Sequence, residues 1–464
     1  MSDDGDLGLM LKRARDHMAA GNDDAAKSAY VDILHRDPTH FSALNELATL
    51  AHAGGYRAAA RIAYLQAVQH HPDNPIGRIN LANLLLESKD PAGARLHLEA
   101  VLASDPDLAE AHQGLARALT DLGDEAAADQ HWRKGFSGHA IVKKPYRGTG
   151  TGNKLLLLVS ARGGNIPTQL WINDRNFAVT AIYCDFHDPA LPLPAHELVF
   201  NTIGDADICG QALIVAEKLV TQTTAPVINP PARIRDTGRA AIARRLAGIA
   251  GVIVPEIREI SPATLLAADD LHFPLLLRKP GFHTGQHFHY VEDHAAVAAA
   301  LETMPGGDLL TIQYLDARGA NGMARKYRVM FIDGVAYPLH LAMSSNWKVH
   351  YFTADMAANA AYRDEEQRFL TDMPTVLGPR AMAALASIAA TLNLDYAGID
   401  FALSPDGTIL FFEANATMVI VPPDTDPIWD YRRPANDRAL AAATMMLTSR
   451  LSASAVTASA VTAV

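Results

Sequence analysis

A repeat of 34 residues organises the hydrophobic and polar positions at the start of the chain. Small residues recur where two helices would touch, glycines recur in the turn between them, and prolines recur where the second helix would end. This spacing predicts roughly three and a half antiparallel helix pairs, stacked as a helical solenoid over residues 1–137. The positions that share the spacing are Ala26, Ala60, Ala94 and Ala128, then Gly21, Gly55 and Gly123, and then Pro38, Pro72 and Pro106.

A different pattern begins at residue 154, where short apolar runs alternate with helical segments. Such alternation is typical of a parallel α/β sheet. We therefore predict an α/β domain over 154–230, joined to the helical repeats by a linker at 138–153 that contains Gly, Thr and basic residues. The predicted strands are 155–160, 177–184 and 196–201, and the predicted helices begin at 167 and 210.

The remainder of the chain reads as two lobes that mix strands and helices. We place the first lobe at 231–312 and the second at 313–451, followed by a small-residue tail at 452–464 that we expect to be disordered. The whole chain is thus predicted to be a multidomain protein of the α plus α/β class. The main predicted elements are strands at 252–259, 273–279 and 308–315, hairpins at 326–337 and 399–412, and helices at 240–250, 375–393 and 437–451.

The second of these hairpins carries acidic groups at matching ends of its two strands. Asp400 starts one strand, whereas Glu413 and Asn415 end the other and point to the same face because they are two residues apart. An antiparallel pairing brings these ends together. Two carboxylates and an amide suit a hard cation such as Mg²⁺, which prefers oxygen ligands. An ordinary hairpin with acidic ends is the alternative interpretation.

Asp400, Glu413 and Asn415 resemble the D…E-x-N metal signature of the ATP-grasp superfamily. The resemblance extends from about residue 154 to about residue 451. It implies a three-part fold, with a pre-ATP-grasp α/β domain followed by two α+β lobes. It also implies ATP and Mg²⁺ as cofactors, with Mn²⁺ as a substitute, and a ligase that joins a carboxylate to an amine. That reaction passes through an acyl-phosphate and releases ADP and phosphate.

The same resemblance implies which residues hold the nucleotide. A basic residue at the start of a helix and a lysine at the end of a strand would neutralise the phosphates. A glycine-containing loop would cover them, and the strand ending near 315 would meet the adenine and the ribose. The positions implied are Arg239, Lys279, Thr284, Gly285, Gln313, Tyr314, Leu315 and Asp316.

A zinc site is a rival interpretation of part of this loop. His283, His287 and His289 have H-x-x-x-H-x-H spacing. These positions do not fall on one face of a single helix, which weakens the zinc interpretation.

The residues implied for the reaction itself lie in three segments. Arg328 resembles the arginine of the D-x-R-x-x-V run in ribosomal-protein glutamate ligases, although Lys326 stands where those proteins have Asp. Lys348 and His350 alternate along an extended segment that would hold the acyl-phosphate and the acceptor. Arg162 follows the first predicted strand and would face the substrate, and a simple turn there is the alternative.

Composition excludes several classes of binding partner for this protein. The net charge of -11 argues against nucleic acid, which binds to basic surfaces. No run approaches the ~20 apolar residues that cross a membrane, and the acidic N-terminus lacks the layout of a signal peptide. Two cysteines are too few for a disulfide framework, so we expect free thiols and a cytoplasmic protein.

The repeats leave several functions open. Such arrays form grooves for a peptide or protein, and Asn45, Asn80 and Asn83 lie on or near helices that could line one. The array resembles tetratricopeptide repeats, which implies that an amino-acid, peptide or protein substrate of the ligase is recruited in part through it. A packing or homodimer module is the alternative role. The alternatives for the whole chain are a scaffold with a regulatory or inactive nucleotide domain, and a phosphotransferase of the same fold.

Overall fold

The computed structural model describes residues 3–281, 285–304, 306–349 and 354–461, and describes side chains between residues 6 and 452. Two compact units divide the chain, Met1–Ile141 and Val142–Val464. This division falls inside the predicted linker. The predicted fold class, helical repeats followed by mixed α/β sheets, is confirmed.

Unit 1 consists of eight helices in consecutive antiparallel pairs. Ala26, Ala60, Ala94 and Ala128 are all fully buried, as the 34-residue spacing predicts. The turn positions 21, 55, 89 and 123 all have positive φ, and Lys89 takes this conformation at the one turn where glycine is missing. The helices are α1 (Asp3–Ala20), α2 (Asp23–Arg36), α3 (Phe41–Ala53), α4 (Arg57–His70), α5 (Pro75–Glu87), α6 (Pro91–Ser104), α7 (Ala109–Asp121) and α8 (Glu125–Phe136).

Unit 2 opens with a five-stranded sheet of order β1-β3-β2-β4-β5, in which β2 to β5 are parallel. The prediction of a helix that begins at Pro167 is wrong. Instead, the Thr168 carbonyl closes a short turn, and Trp171 is drawn into the core against Phe200 and Tyr396. The elements are β1 (Ile141–Lys143), β2 (Asn153–Val159), β3 (Phe177–Tyr183), β4 (Leu198–Asn201), α9 (Gly210–Val220), β5 (Val227–Ile228), α10 (Pro231–Arg235) and α11 (Arg239–Leu246).

The second sheet is antiparallel and has the order β7-β10-β8-β9. The prediction of a single strand at 252–259 is wrong, because Pro255 separates two strands that join different sheets. A proline cannot donate a ladder hydrogen bond, so it favours such a break. The elements are β6 (Val252–Ile253), β7 (Ile257–Ile260), α12 (Pro262–Ala267), β8 (Leu275–Arg278), β9 (Phe288–Val291), α13 (Ala295–Glu302) and β10 (Leu309–Gln313).

The third sheet has the order β12-β11-β13-β14-β6 and is antiparallel except for β6. It shares one hydrophobic core with the first sheet. The last helix continues to Val461, beyond the end predicted at 451. The elements are β11 (Ala324–Ile332), β12 (Val335–Ser344), α14 (Ala360–Thr371), α15 (Met373–Leu392), β13 (Tyr396–Leu403), β14 (Ile409–Asn415) and α16 (Arg433–Val461).

Helix α15 is long and apolar enough to cross a membrane by length and composition. It lies against the core of unit 2, where Leu377, Leu385 and Ile388 are buried. Gly378 has φ of 76° and precedes Pro379, so the backbone is interrupted within the first two turns. These contacts are those of a core helix.

Asn229 joins the first sheet to the third. Its side chain donates to the Tyr396 carbonyl (2.8 Å) and accepts from the Tyr396 amide (3.0 Å), so it pairs with β13 as a strand residue would. The Asn229 amide also donates to Asp395 (2.8 Å). Asn229 is fully buried and has φ of 51°, which Asn adopts more readily than most residues.

We expect Asn229→Ala to destabilise unit 2 by roughly 3 kcal/mol, because it strips two hydrogen bonds from buried backbone groups and leaves alanine at positive φ. Asn393→Ala is the matched control, since Asn393 has φ of 50° but an exposed side chain. That control should cost about 1 kcal/mol. Urea unfolding of the two variants measures the difference, and equal losses would contradict the hydrogen-bond explanation.

Candidate active site

A cavity of about 510 Å³ lies between the second and third sheets of unit 2. Its volume is in the range of small-molecule sites. Side chains from both sheets line it because alternate residues of each strand face inward. The lining from strands comprises Leu276, Arg278, Phe288, Ile312, Gln313, Lys326, Arg328, Leu339, His340, Asp400, Phe411, Phe412, Glu413 and Asn415.

Asp400 is the most deeply buried charge of the cavity, with 1% of its surface exposed. Arg328 lies opposite Asp400 in the strand register and donates to both carboxylate oxygens, at 2.6 and 2.8 Å. Lys326 Nζ donates to Asp400 Oδ2 at 3.0 Å. Burial opposes ionisation of this carboxyl, but Arg328 and Lys326 hold the pKa of Asp400 far below its usual range. Asp400 is therefore a carboxylate at all working pH values.

Glu413 faces Asp400 across the strand pair β13–β14. Its Oε2 atom accepts a hydrogen bond from Arg239 Nη2. Burial alone would raise the pKa of Glu413, but Arg239 lowers it to about 2. Asn415 lies two residues further along β14, and its Oδ1 accepts from the Thr417 amide (3.0 Å) and hydroxyl (2.9 Å). The antiparallel hairpin thus brings the three predicted oxygen-bearing side chains to one cavity.

Positive charge exceeds negative charge in the cavity. Five cationic residues line it, whereas Asp400 and Glu413 are the carboxylates among the described lining residues. Burial and the neighbouring Arg239 charge together lower the pKa of Arg278 to about 10. The arginine nevertheless stays charged at neutral pH. A polyanion fits this excess of cations. The cations are Arg239, Arg278, Lys326, Arg328 and Lys348.

His340 adds a neutral group beside these charges. It lies opposite Arg328 in the strand register and is 6% exposed. Burial lowers the pKa of His340 well below its usual range, and the Arg328 charge acts in the same direction. The imidazole therefore adds no further positive charge to the cavity at neutral pH.

Apolar side chains also line the cavity. They are Leu276, Ile312, Leu315, Leu339 and Met418, and Leu276 lies opposite Ile312 in the register of β8 and β10. The Gln313 side chain, which also lines the cavity, is fixed because its Oε1 accepts from the Glu256 amide at 3.2 Å. A flat or apolar part of a ligand can contact these side chains.

Aromatic rings close one side of the cavity. Phe288 and Tyr290 of β9 contact Trp347, with centroid distances of 5.5 Å each, and Tyr290 also contacts Tyr314 at 5.1 Å. Lys348 Nζ donates to the Gly285 carbonyl at 2.6 Å. The segment that follows β12 is thereby attached to the loop that precedes β9.

The side chains fit one divalent cation better than two. Both oxygens of Asp400 are bonded to cations of the chain. Glu413 has Arg239 on one oxygen, and the Asn415 oxygen accepts from the neutral amide and hydroxyl of Thr417, which repel a cation less than Lys326 and Arg328 do. Over the described part of the chain, no group of three or more His, Cys, Asp or Glu is arranged to hold a metal. The zinc alternative gains no support from His287 and His289, and His283 lies outside the described residues.

Three residues implied by the resemblance lie away from the cavity lining. Lys279 follows β8 on the opposite face and donates to the carbonyls of Gly306 (2.5 Å) and Asp308 (3.1 Å). Asp316 is paired with Arg318, at 2.6 to 3.1 Å. Arg162 is directed to Asp185, with 3.9 Å between charged atoms. Of the two adjacent cations, Arg278 lines the cavity and Lys279 does not, so the predicted nucleotide and substrate roles of Lys279, Asp316 and Arg162 stay predictions.

Several lining residues were not among the predicted ones. Arg278 was missed because the three residues before it in the strand are all leucine. Without alternating polar and apolar residues, the sequence does not indicate which face of the strand points into the cavity. Lys326 could have been found, since it alternates with Arg328 on one strand face. Trp347 gave no sequence signal beyond its aromatic side chain. Two predicted residues, Thr284 and His350, lie outside the described residues.

Unit 1 offers a separate polar surface. Asn80 Nδ2 on α5 donates to Asn45 Oδ1 on α3 at 2.9 Å, and Asn83 is exposed one turn along α5. Two of the three asparagines predicted to line a groove therefore bind each other. Asn83 remains accessible to a ligand.

The family description "Tetratricopeptide repeat" matches residues 50–117 and 85–131 of the chain. Residues 50–131 are tetratricopeptide repeats. The matched residues span α4 to α7 with the ends of α3 and α8, so the repeat domain comprises the helix pairs that the 34-residue spacing predicts. No curated protein matches the chain.

Solved structures similar to this chain belong to two kinds. A tetratricopeptide repeat protein from Parabacteroides merdae ATCC 43184 is 20% identical, with a TM-score of 0.27 over 29% of this chain and 53% of its own. MamA from Desulfovibrio magneticus RS-1 is 18% identical, with 0.27 over 30% and 76%. A RimK domain protein ATP-grasp from Sphaerobacter thermophilus DSM 20745 is 17% identical, with 0.40 over 63% and 97%. The chain spans about half the length of the first of these.

We expect the cation-lined cavity to bind inorganic tripolyphosphate, and Arg278→Gln to weaken that binding by roughly 10-fold or more, because it removes a buried charged donor. Lys279→Gln is the matched control. It removes a cation one residue away that faces elsewhere, so binding should change less than about 2-fold. Isothermal titration measures both, and the reverse order of effects would return the phosphate contact to Lys279.

Proposed function

We propose that unit 2 is an ATP-dependent ligase of the ATP-grasp type, which joins a carboxylate to an amine. The observation that carries this proposal is the cavity whose lining combines five cations, a pair of facing carboxylates and several apolar side chains. The apolar side chains suit a nucleobase, and the cations suit a chain of phosphates. The hairpin that carries Asp400, Glu413 and Asn415 is where the family resemblance has its metal signature.

The cations would stabilise charge that develops as the terminal phosphate is transferred. Arg328 is held in place by two hydrogen bonds to Asp400, and Arg239 by its bond to Glu413. Fixed donors of this kind need no rearrangement during the reaction, which makes their electrostatic effect large. We assign Arg239, Arg278 and Arg328 to the phosphates.

Glu413 and Asn415 would hold a magnesium ion. When bound, the ion neutralises phosphate charge and supports transfer of the terminal phosphoryl group. The chain's own contribution is to present one carboxylate and one amide oxygen two residues apart on β14, next to the arginines.

The acceptor of the phosphate is proposed to be a carboxylate, which becomes an acyl-phosphate before an amine attacks it. Lys348 lies at the cavity wall, where burial and the neighbouring Arg278 lower its pKa. It is suited to an anionic reactant. The tetratricopeptide repeats suggest that the substrate is an amino acid, peptide or protein recruited in part by unit 1, since such arrays bind extended chains.

We expect ATP to be cleaved to ADP and phosphate when a carboxylate and an amine are supplied. Phosphorus NMR of the products with amino-acid and peptide mixtures distinguishes this outcome from AMP and pyrophosphate. AMP formation would contradict the acyl-phosphate route. Phosphate transfer to the acceptor without amide formation would indicate a phosphotransferase instead.

We also expect Glu413→Gln to reduce turnover at least 100-fold, because it removes one charge where a magnesium ion would sit. Glu365→Gln is the matched control. Glu365 forms a half-buried ion pair with Arg325, and its side chain is 24% exposed compared with 27% for Glu413. Turnover and melting temperature should be measured together for both variants.

The control should keep most of its turnover while losing a similar amount of stability. Near-normal turnover of Glu413→Gln would remove Glu413 from the site. An inactive Glu413→Gln that melts far below the control would make Glu413 a structural residue.

A further inference from the structure

The site residue that the proposed ligase chemistry does not explain is Lys326. Its side chain is 15% exposed, lines the cavity and donates to Asp400 Oδ2 at 3.0 Å. Arg328 bonds both oxygens of the same carboxylate. Asp400 therefore has two cationic partners before any ligand enters.

Strand register fixes this arrangement. Arg328 on β11 is directly opposite Asp400 on β13, and Lys326 lies two residues earlier on the same face of β11. The pairing of β11 with β13 therefore fixes the position of both cations. If Asp400 bound a metal ion instead, Lys326 and Arg328 would face each other and the metal ion without a counterion.

The two carboxylates of the hairpin differ in this respect. Glu413 is 27% exposed, whereas the Asp400 side chain is 2% exposed. Arg239 bonds Glu413 at Oε2, and Glu413 also lies beside the Asn415 amide on β14. The donors at Asn415 Oδ1 are the neutral amide and hydroxyl of Thr417, whereas both donors at Asp400 are cations. Among the residues that the structure describes, Glu413 and Asn415 therefore form the end of the pair that repels a divalent cation less.

We propose that Lys326 Nζ takes the place of a second divalent cation, so that the nucleotide site holds a single metal ion at Glu413 and Asn415. Asp400 then anchors Lys326 and Arg328 and does not bind metal. This inference rests on the proposed function, since it concerns the cation count beside bound ATP. Lys326 is a positioning residue that supplies fixed positive charge at that place.

The test counts Mn²⁺ bound per chain by the loss of the free Mn²⁺ signal in electron paramagnetic resonance. The full chain is titrated with and without a non-hydrolysable ATP analogue. We expect one Mn²⁺ per analogue-bound wild-type chain, and two for Lys326→Asp, which replaces the ammonium by a carboxylate. Lys279→Met is the matched control, because it removes a lysine that lies outside the cavity lining. Its count should stay at one.

Two bound Mn²⁺ ions in the wild-type complex would overturn the inference. So would a folded Lys326→Asp chain that binds the analogue with one ion. If that variant does not fold, as judged by circular dichroism, Lys326→Met decides. It removes the ammonium beside Asp400 Oδ2 without adding a charge, and Arg328 still bonds both oxygens. A second, weaker Mn²⁺ is therefore expected in the place of the ammonium, and a count of one would again contradict the proposal.

Failure of the proposed function gives a different result. A wild-type chain that does not bind the analogue at any Mn²⁺ concentration would refute ATP as the ligand. The titration with Mn²⁺ alone then tests the cation count by itself. One ion in the wild type and two in Lys326→Asp would uphold the role of Lys326, and equal counts would end it.

Discussion

The buried carboxylate of Asp400 is the constraint on which the site depends. A charge with 1% exposure is costly unless it is paired, and loss of one partner from such a pair costs about 3–5 kcal/mol. Arg328 and Lys326 provide the pairing from the next strand, and Glu413 faces Asp400 from the strand beyond. One carboxylate therefore sets which strands neighbour each other at this point of the sheet and which cations reach the cavity.

That pairing also determines what the cavity can bind. Asp400 is neutralised within the protein, so the remaining cations exceed Glu413 in number, and His340 stays uncharged because it is buried beside Arg328. The resulting positive potential comes from side chains that are already hydrogen-bonded in place. Preorganised donors of this kind favour a developing negative charge more than flexible surface lysines do.

Sequence reasoning succeeded where a pattern had a single structural solution. The 34-residue spacing required stacked helix pairs, and even Lys89 adopted the left-handed turn of the glycines it replaces. It could not decide between neighbouring residues that suit the same role. Arg278 and Lys279 are adjacent cations, and the register of β8 decides which of the two side chains points into the cavity. Asp316 forms an ion pair with Arg318, which the spacing of residues in the sequence does not predict.

The same reasoning explains why the metal signature alone was not enough to define the site. The spacing of Asp400, Glu413 and Asn415 predicted that their side chains would converge, and all three residues line one cavity. It contained no information on partners from β11, which lies more than 70 residues earlier in the chain. Lys326 and Arg328 bond the oxygens of Asp400. Three oxygen-bearing side chains that line one cavity therefore do not all serve as metal ligands. The charge partners of an acidic group, and not its spacing alone, decide whether it serves as a ligand or as an anchor.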